Sequence, residues 1–452
     1  MKRREMLTSM GAISLGIAAP SLSKGDRLAE PYRTRRQSLS ADIVVIGGGT
    51  AGTIAAIQAG RAGRKTILIE AGSQLGGTTT VGGVAFPGIF FAWGEQIIGG
   101  IGWELVQEAV AMNDDTLPNF SIPHGRQHWR HQVRLNPHIY AMLAEEKMLE
   151  AGVDIRYYET PFALRFAKNR WEIETVGKGV HATITCNQVI DCTGNALPTA
   201  MAGYDVIREE EIQPGTLMFK IDGYELESLD QDLIKQRYQE ALDRGEFTRE
   251  EFRGNIIGLL RSQGDNIQHI MDADSTTSES HTIANINGRK SLLRHLRFIR
   301  TLPGCEKTKL VDMQTETATR ETFRIDGHYR ITHEDYVTGK KFDDAVSYSY
   351  YPIDLHDAHG VIPDHLEEGV VPTIPLRALV PKNSRNFIVA GRCLSSDRLA
   401  NSALRVQASC MGMGQAAAAA AVLASRKGIS PLEVPYDELR ELIESHGGIV
   451  PA

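Results

Sequence analysis

Residues 42–56, DIVVIGGGTAGTIAA, constrain this chain more than any other stretch. ADIVVI has the pattern of a buried strand. Gly47, Gly49 and Gly52 follow at GxGxxG spacing, and TIAAIQAGRAG reads as a helix. KTILIE reads as a second strand, ending in Glu70. The first glycine permits a sharp turn and the second lets backbone approach a pyrophosphate. The third allows close helix–strand packing, and Ala56 continues that small face. The helix N-terminus faces phosphates, and the acidic strand end accepts ribose hydroxyls. A lone GxGxxG says little. Both strands, the helix and Glu70 together predict a dinucleotide cradle in a Rossmann-like α/β domain.

Three later stretches bear on which dinucleotide is held. AGSQLGGTTTVGG puts Gly76 and Gly77 shortly after Glu70, although alone it could be a flexible loop. NQVIDCTGNALPTAMAG is an apolar strand running into Thr193-Gly194 and a small-residue helix. Before it come a helix, a strand and an alternating β-meander. NFIVAGRCLSSDRLANSALRVQASCMGMGQAAAAAAVLA gives a strand ending in Gly391-Arg392, then a long helix entered through Gly412 and Gly414. Such a helix is either an Ala-rich core element or one whose dipole faces a developing anion.

With these motifs in order, residues 41–430 resemble the FAD-dependent oxidoreductases that share a glutathione-reductase-like flavin domain with the heterodisulfide-reductase flavin subunit. The central segment TATRETFRIDGHYRITHEDYVTGKKFDDAVSYSYYPIDLHDAHG is similar to theirs as well. The resemblance implies FAD. It makes Gly76 and Gly77 part of the extended FAD fingerprint and sets Thr193-Gly194 beside the adenylate half. It puts the isoalloxazine at Gly391, Arg392, Gly412 and Gly414. This chain departs from relatives that use iron–sulfur clusters or a CxxC disulfide. Its five cysteines form no CxxC pair, which also disfavours structural zinc. They read as buried free thiols, or as a disulfide if the protein is exported.

Motifs at both ends predict a discontinuous flavin domain, residues 41–205 and 350–452, around an inserted α+β substrate-side domain at 206–349. A length of 452 residues suits two such units. Residues 1–40 read as a leader and a polar linker. MKRREMLTSMGAISLGIAAP has a basic start and an apolar run too short to span a membrane. Arg3-Arg4 gives it a twin-arginine look, so export to the periplasm is expected; an uncleaved anchor or a basic tail is the alternative. The net charge of −7 and the absence of a basic stripe argue against nucleic acid. Within the insert, SQGDNIQHIMDADSTTSES reads as a lid or mobile loop.

A flavin supplies redox chemistry, so the protein must position a substrate and manage one proton. Histidine suits the proton. His356 in YPIDLHDAHG is the first candidate and His359 a weaker one; His356 could equally satisfy the turn's hydrogen bonds. Arg320 and Glu321 read as a buried pair, lining the pocket or purely structural. Arg405 in NSALRV could hold a substrate carboxylate or the flavin's pyrimidine edge. Cys393 is expected near the flavin, and VAFPGIFFAWGEQIIGG could cap it or be core. His124, His128 and His131 have metal-like spacing but no carboxylate or cysteine partner, and no metal is expected. These readings point to an exported FAD-dependent dehydrogenase of a small polar substrate, a sugar or hydroxy acid, with an unidentified electron acceptor. Two rivals stand: a flavin-dependent reductase of an unsaturated acid, and a non-catalytic flavin-binding accessory protein.

Overall fold

The computed structural model describes residues 34–122, 127–251, 255–357, 360–361 and 363–452. The twin-arginine-like leader, His124 and His359 lie outside them. Five parallel strands form the central sheet, in the order Phe387–Val389, Gln188–Asp191, Ile43–Ile46, Thr66–Glu70, Asp154–Tyr157. Their unbroken apolar sequences reflect burial on both faces. The two-residue period of a strand then sorts neighbours to opposite sides. Ile43, Val45 and Leu68 enter the core beneath the helices Thr50–Arg61 and Gln407–Lys427. Val44, Ile46, Ile67 and Ile69 pack on the other face against Trp171, Ile173 and Ile184 of the meander.

That meander is Glu159–Ala167, Arg170–Gly177 and Val180–Cys186, all antiparallel. Its open edge is closed by Arg35–Ser40, running parallel to Val180–Cys186. The linker reading of residues up to 40 is corrected here. The strand is held by backbone pairing on a largely solvent-facing edge, so its polar sequence RRQSLS carries no apolar alternation.

The insertion builds a core of its own from Leu217, Phe219, Tyr238, Leu259, Leu292 and Phe298. These come from a three-stranded sheet, Gly264–Asp265, Phe219–Asp222 and Lys309–Met313, and from helices including Gln231–Asp243 and Ser278–Ile299. Ile331, Tyr336 and Val346 pack instead into the core beneath the parallel sheet. The 206–349 segment thus divides between two cores. The stretch read as a lid or mobile loop is packed, with Gln268 and His269 buried. Gln407–Lys427 is the one helix among the described residues long and apolar enough to cross a membrane, and 89% of its most apolar window is buried inside the protein.

Candidate functional site

The glycine motifs assemble into touching turns. Gly47 has φ +95°, and a Cβ there would sit 2.8 Å from the Cys192 carbonyl oxygen. A Cβ on Gly52 would overlap the Gly47 carbonyl oxygen, so only glycine lets the helix start this close to the strand. The Gly76 N–H donates to the Gly48 carbonyl at 2.9 Å. A Cβ on Gly77 would lie 2.8 Å from the Cα of Gly49. Glu70 braces the arrangement: its carboxylate accepts from the Gly48 N–H at 2.7 Å and the Gly72 N–H at 2.5 Å. Burial raises its pKa.

Asp191 fixes the Thr193-Gly194 turn by accepting from the N–H and hydroxyl of both Thr193 and Thr199. Arg392 donates from Nε to the Gly194 carbonyl at 2.9 Å and from Nη1 to the Thr319 carbonyl at 2.6 Å. Burial lowers its pKa.

These turns line a cavity of about 580 Å³ that Gly49, Gly77, Thr193, Gly194, Gly391 and Arg392 share with Arg320, His356 and Arg405. A second cavity of about 220 Å³ lies at Gly47 and Glu70, and Thr193 lines both. This cradle fits FAD: the smaller cavity at the acidic strand end would take the adenosine half, and the larger one the flavin. At Gly49 a Cβ would have no protein atom nearer than 3.9 Å, so the cavity lining there is bare backbone with room for a ligand.

The helix entry is corrected. Gln407–Lys427 begins five residues before Gly412, so Gly412 and Gly414 lie inside the helix and do not line the cavity. A Cβ on Gly412 would overlap the Ser347 hydroxyl. Gln407 stands at the cavity, accepting from Thr79 Oγ1 at 2.7 Å and donating to the Val84 carbonyl at 2.8 Å.

The three candidates from three separate segments come together. His356 is 2% exposed. Its Nε2 lies 3.2 Å from Asp354 Oδ2 and its Nδ1 3.1 Å from His269 Nε2. Burial and the Arg320 charge push its pKa down to about 3, against the pull of Asp354. Asp354 is held well below the carboxylate range by its bond to His356 and by Arg405 and Arg320, which outweigh burial. Arg405 Nη2 donates to Gln213 Oε1 and the Asp354 carbonyl, both at 3.3 Å. Gln213 Oε1 also accepts from the His356 N–H at 3.0 Å.

Arg320 does not pair with Glu321. Its Nη1 donates to the Pro214 carbonyl at 2.6 Å and its Nη2 to Asn266 Oδ1 at 3.4 Å. Glu321 turns away to Arg398 at 3.0 Å and the Gln213 N–H at 2.6 Å. Sequence reasoning missed Asp354, Gln213 and His269. Only Asp354 left a local signal, at i−2 from His356, where extended backbone puts both on one face.

Cys393 is wholly buried in the core on the meander side of the sheet and does not line the cavity, whereas Cys192 and Cys410 do. Phe86 reaches the cavity, but Phe91 stacks on Phe120 at 4.0 Å within the core. His128 lines the cavity and His131 bonds the Ile122 carbonyl at 2.8 Å. Among the described residues no group of three His, Cys, Asp or Glu could hold a metal. The charged side chains on the described wall are Arg134, Arg320, Arg392 and Arg405 against Asp265 and Asp354, four cations to two anions.

Fold and cradle together define a flavoenzyme with a Rossmann-type FAD site. The chain belongs to the FAD dependent oxidoreductase family, whose model matches residues 42–443. A nicotine dehydrogenase of Pseudomonas putida (strain DSM 28022 / S16) is 32% identical over 124 residues, covering 26% of this chain and 25% of that protein. The match thus spans a quarter of the relative's length. Two solved structures are similar at 12% identity. A geranylgeranyl bacteriochlorophyll reductase-like protein of Thermoplasma acidophilum aligns over 91% of this chain and 83% of its own, with a TM-score of 0.43. The p-nitrophenol 4-monooxygenase PnpA of Pseudomonas putida DLL-E4 aligns over 91% and 87%, with a TM-score of 0.41.

Proposed function

We propose that this FAD-dependent oxidoreductase is a dehydrogenase of a small hydroxylated acid. The observation that carries the reading is the Asp354–His356 pair on the same cavity as the FAD cradle, flanked by Arg320 and Arg405. FAD, when bound, supplies a two-electron acceptor for the hydride that leaves the substrate carbon. The residues have two tasks left. Arg320 and Arg405 hold the carboxylate, and the excess of cations on the wall favours an acid over a neutral sugar. His356 receives the hydroxyl proton, and the Asp354 carboxylate stabilises the imidazolium. The Arg320 charge that lowers the His356 pKa is offset once a substrate carboxylate sits beside it, which raises the basicity of His356 when it is needed. Export through the Arg3-Arg4 leader is part of the proposal, and fractionation of cells expressing the full chain tests it.

The same arginines suit reduction of an unsaturated acid, so the test has two arms. Anaerobic flavin absorbance is followed as hydroxy acids and sugars are added to oxidised protein, and unsaturated acids to reduced protein. Bleaching by hydroxy acids supports the proposal. Bleaching by sugars alone removes the acid. Reoxidation alone establishes the reductase, and no response to either panel leaves a binding protein.

A further inference from the structure

The cavity wall carries a second chemistry that the hydride and proton steps leave unused. Phe86, His128, Trp129 and Tyr351 line it as well as the arginines. Three of these rings form a continuous run. Trp129 is 57% exposed, so it stands where the cavity meets solvent. The His128 ring meets Trp129 edge to face, with centroids 5.5 Å apart, and meets Tyr351 edge to face at 5.0 Å. Gln132 Nε2 donates to the Tyr351 hydroxyl at 2.8 Å and fixes that ring. A Cβ on Gly88 would overlap Val406 and lie 3.9 Å from Tyr351 Cδ2, so both side chains converge on this point. Val406 adjoins Arg405, and Tyr351 comes three residues before Asp354. The wall thus passes from aromatic rings at the opening to Arg405 and the buried Asp354–His356 pair.

We infer that the substrate is an aryl-bearing 2-hydroxy acid, with its carboxylate on the arginines and its ring on the Trp129–His128–Tyr351 wall. The inference rests on the dehydrogenase reading for the hydroxyl group. Arginines alone would hold any small acid. Flat rings make edge and face contacts with one another that a puckered hydrocarbon of the same size does not make. The aromatic wall therefore selects among the acids that the arginines admit. The hydride leaves C2 for the bound flavin and the hydroxyl proton goes to His356, so the product is an aryl 2-oxo acid.

The test uses the full-length FAD-loaded protein as wild type, Trp129→Ala and Trp129→Phe. Trp129 is outside the hydrophobic cores, so both variants should fold. Flavin reduction is titrated with mandelate, with hexahydromandelate as its saturated-ring match, and with lactate. Mandelate should half-saturate at a concentration about fivefold or more below hexahydromandelate, and further below lactate. Trp129→Ala should cut the mandelate advantage over hexahydromandelate to within about twofold while leaving the rate at saturation within about threefold; Trp129→Phe should keep the advantage. Equal half-saturation by mandelate and hexahydromandelate overturns the inference, as does an advantage that survives Trp129→Ala intact. A second readout needs no turnover. Phenylacetate and cyclohexylacetate are titrated against the spectrum of the oxidised flavin, and phenylacetate should bind more tightly only when residue 129 is aromatic. If that preference holds while no hydroxy acid reduces the flavin, the dehydrogenase reading fails and the aryl-acid site stands. Equal binding of the two carboxylates overturns the site itself.

Discussion

Gly414 packs so tightly on Ala51 that a Cβ at 414 would overlap the Ala51 carbonyl oxygen. Ala51 lines the cavity, so the contact ties the long buried helix to the phosphate-facing turn. Gly414→Ala should destabilise the protein by roughly 1–3 kcal/mol, because backbone cannot yield as a side chain can. Gly412→Ala meets only the Ser347 side chain, which can rotate, and should cost less. Urea unfolding of both variants, with and without added FAD, checks the ordering. Equal effects would show that the Ala51 contact is not tight.

Gly77 has φ +52° and its Cβ position is 2.8 Å from Gly49 Cα. Gly77→Ala should therefore part the two loops while leaving the strands intact. The expected outcome is near-normal circular dichroism with a flavin-to-protein absorbance ratio at least about tenfold lower, the equivalent of about 1.4 kcal/mol in cofactor binding. A variant purified with full flavin refutes the close approach.

Glu321 is 3% exposed and anchors Arg398, Arg324 and the Gln213 N–H. Glu321→Ala removes a buried acceptor, while Arg324 keeps Glu209 and Arg398 keeps Glu211, and should cost about 1–3 kcal/mol. Gln213 also bonds His356 and Arg405, so the surviving folded fraction should turn over more slowly. Thermal unfolding gives the first number and flavin reduction the second. Unaltered stability would contradict the ion network.

Acid should destabilise this fold through its histidines. Burial keeps His356 neutral down to about 3 and His295 down to about 4, both below the usual 6.5. Below 6.5 the unfolded chain binds protons that the folded chain refuses. Stability is therefore full above that pH and declines as pH falls toward 4. His295→Gln, remote from the cavity wall, should flatten part of the slope in a plot of unfolding temperature against pH. An unchanged slope would remove His295 as a contributor.

The flavin fold was legible because its signals are local. A strand, a glycine turn and a helix within thirty residues declare their geometry through backbone sterics, and Gly47, Gly52 and Gly77 occupy positions that reject a side chain. Gly414 is also sterically required, but by a neighbour far along the chain, so its pattern was misassigned to the helix entry. The true entry at Val406-Gln407 has no capping side chain to mark it. Arg320 and Glu321 show the same limit: both are buried, but which partner each takes depends on the 209–214 segment and on Arg398. His269 lay in a polar stretch that read as mobile, and only its meeting with His356 gives it meaning.

The strand Phe387–Val389 forms one edge of the parallel sheet, beside Gln188–Asp191, and Gln407–Lys427 covers Thr50–Arg61. During synthesis the GxGxxG turn at residues 47–52 emerges long before its roof, Gln407–Lys427. Until Phe387–Val389 is made, the nascent sheet shows an unpaired edge at Gln188–Asp191, which is prone to aggregation. Assembly of the cofactor site thus waits for Gln407–Lys427. A chain cut short before Arg405 would keep the GxGxxG, Gly76-Gly77, Thr193-Gly194 and Gly391-Arg392 turns and lack the cavity wall at Arg405, Val406, Gln407 and Cys410.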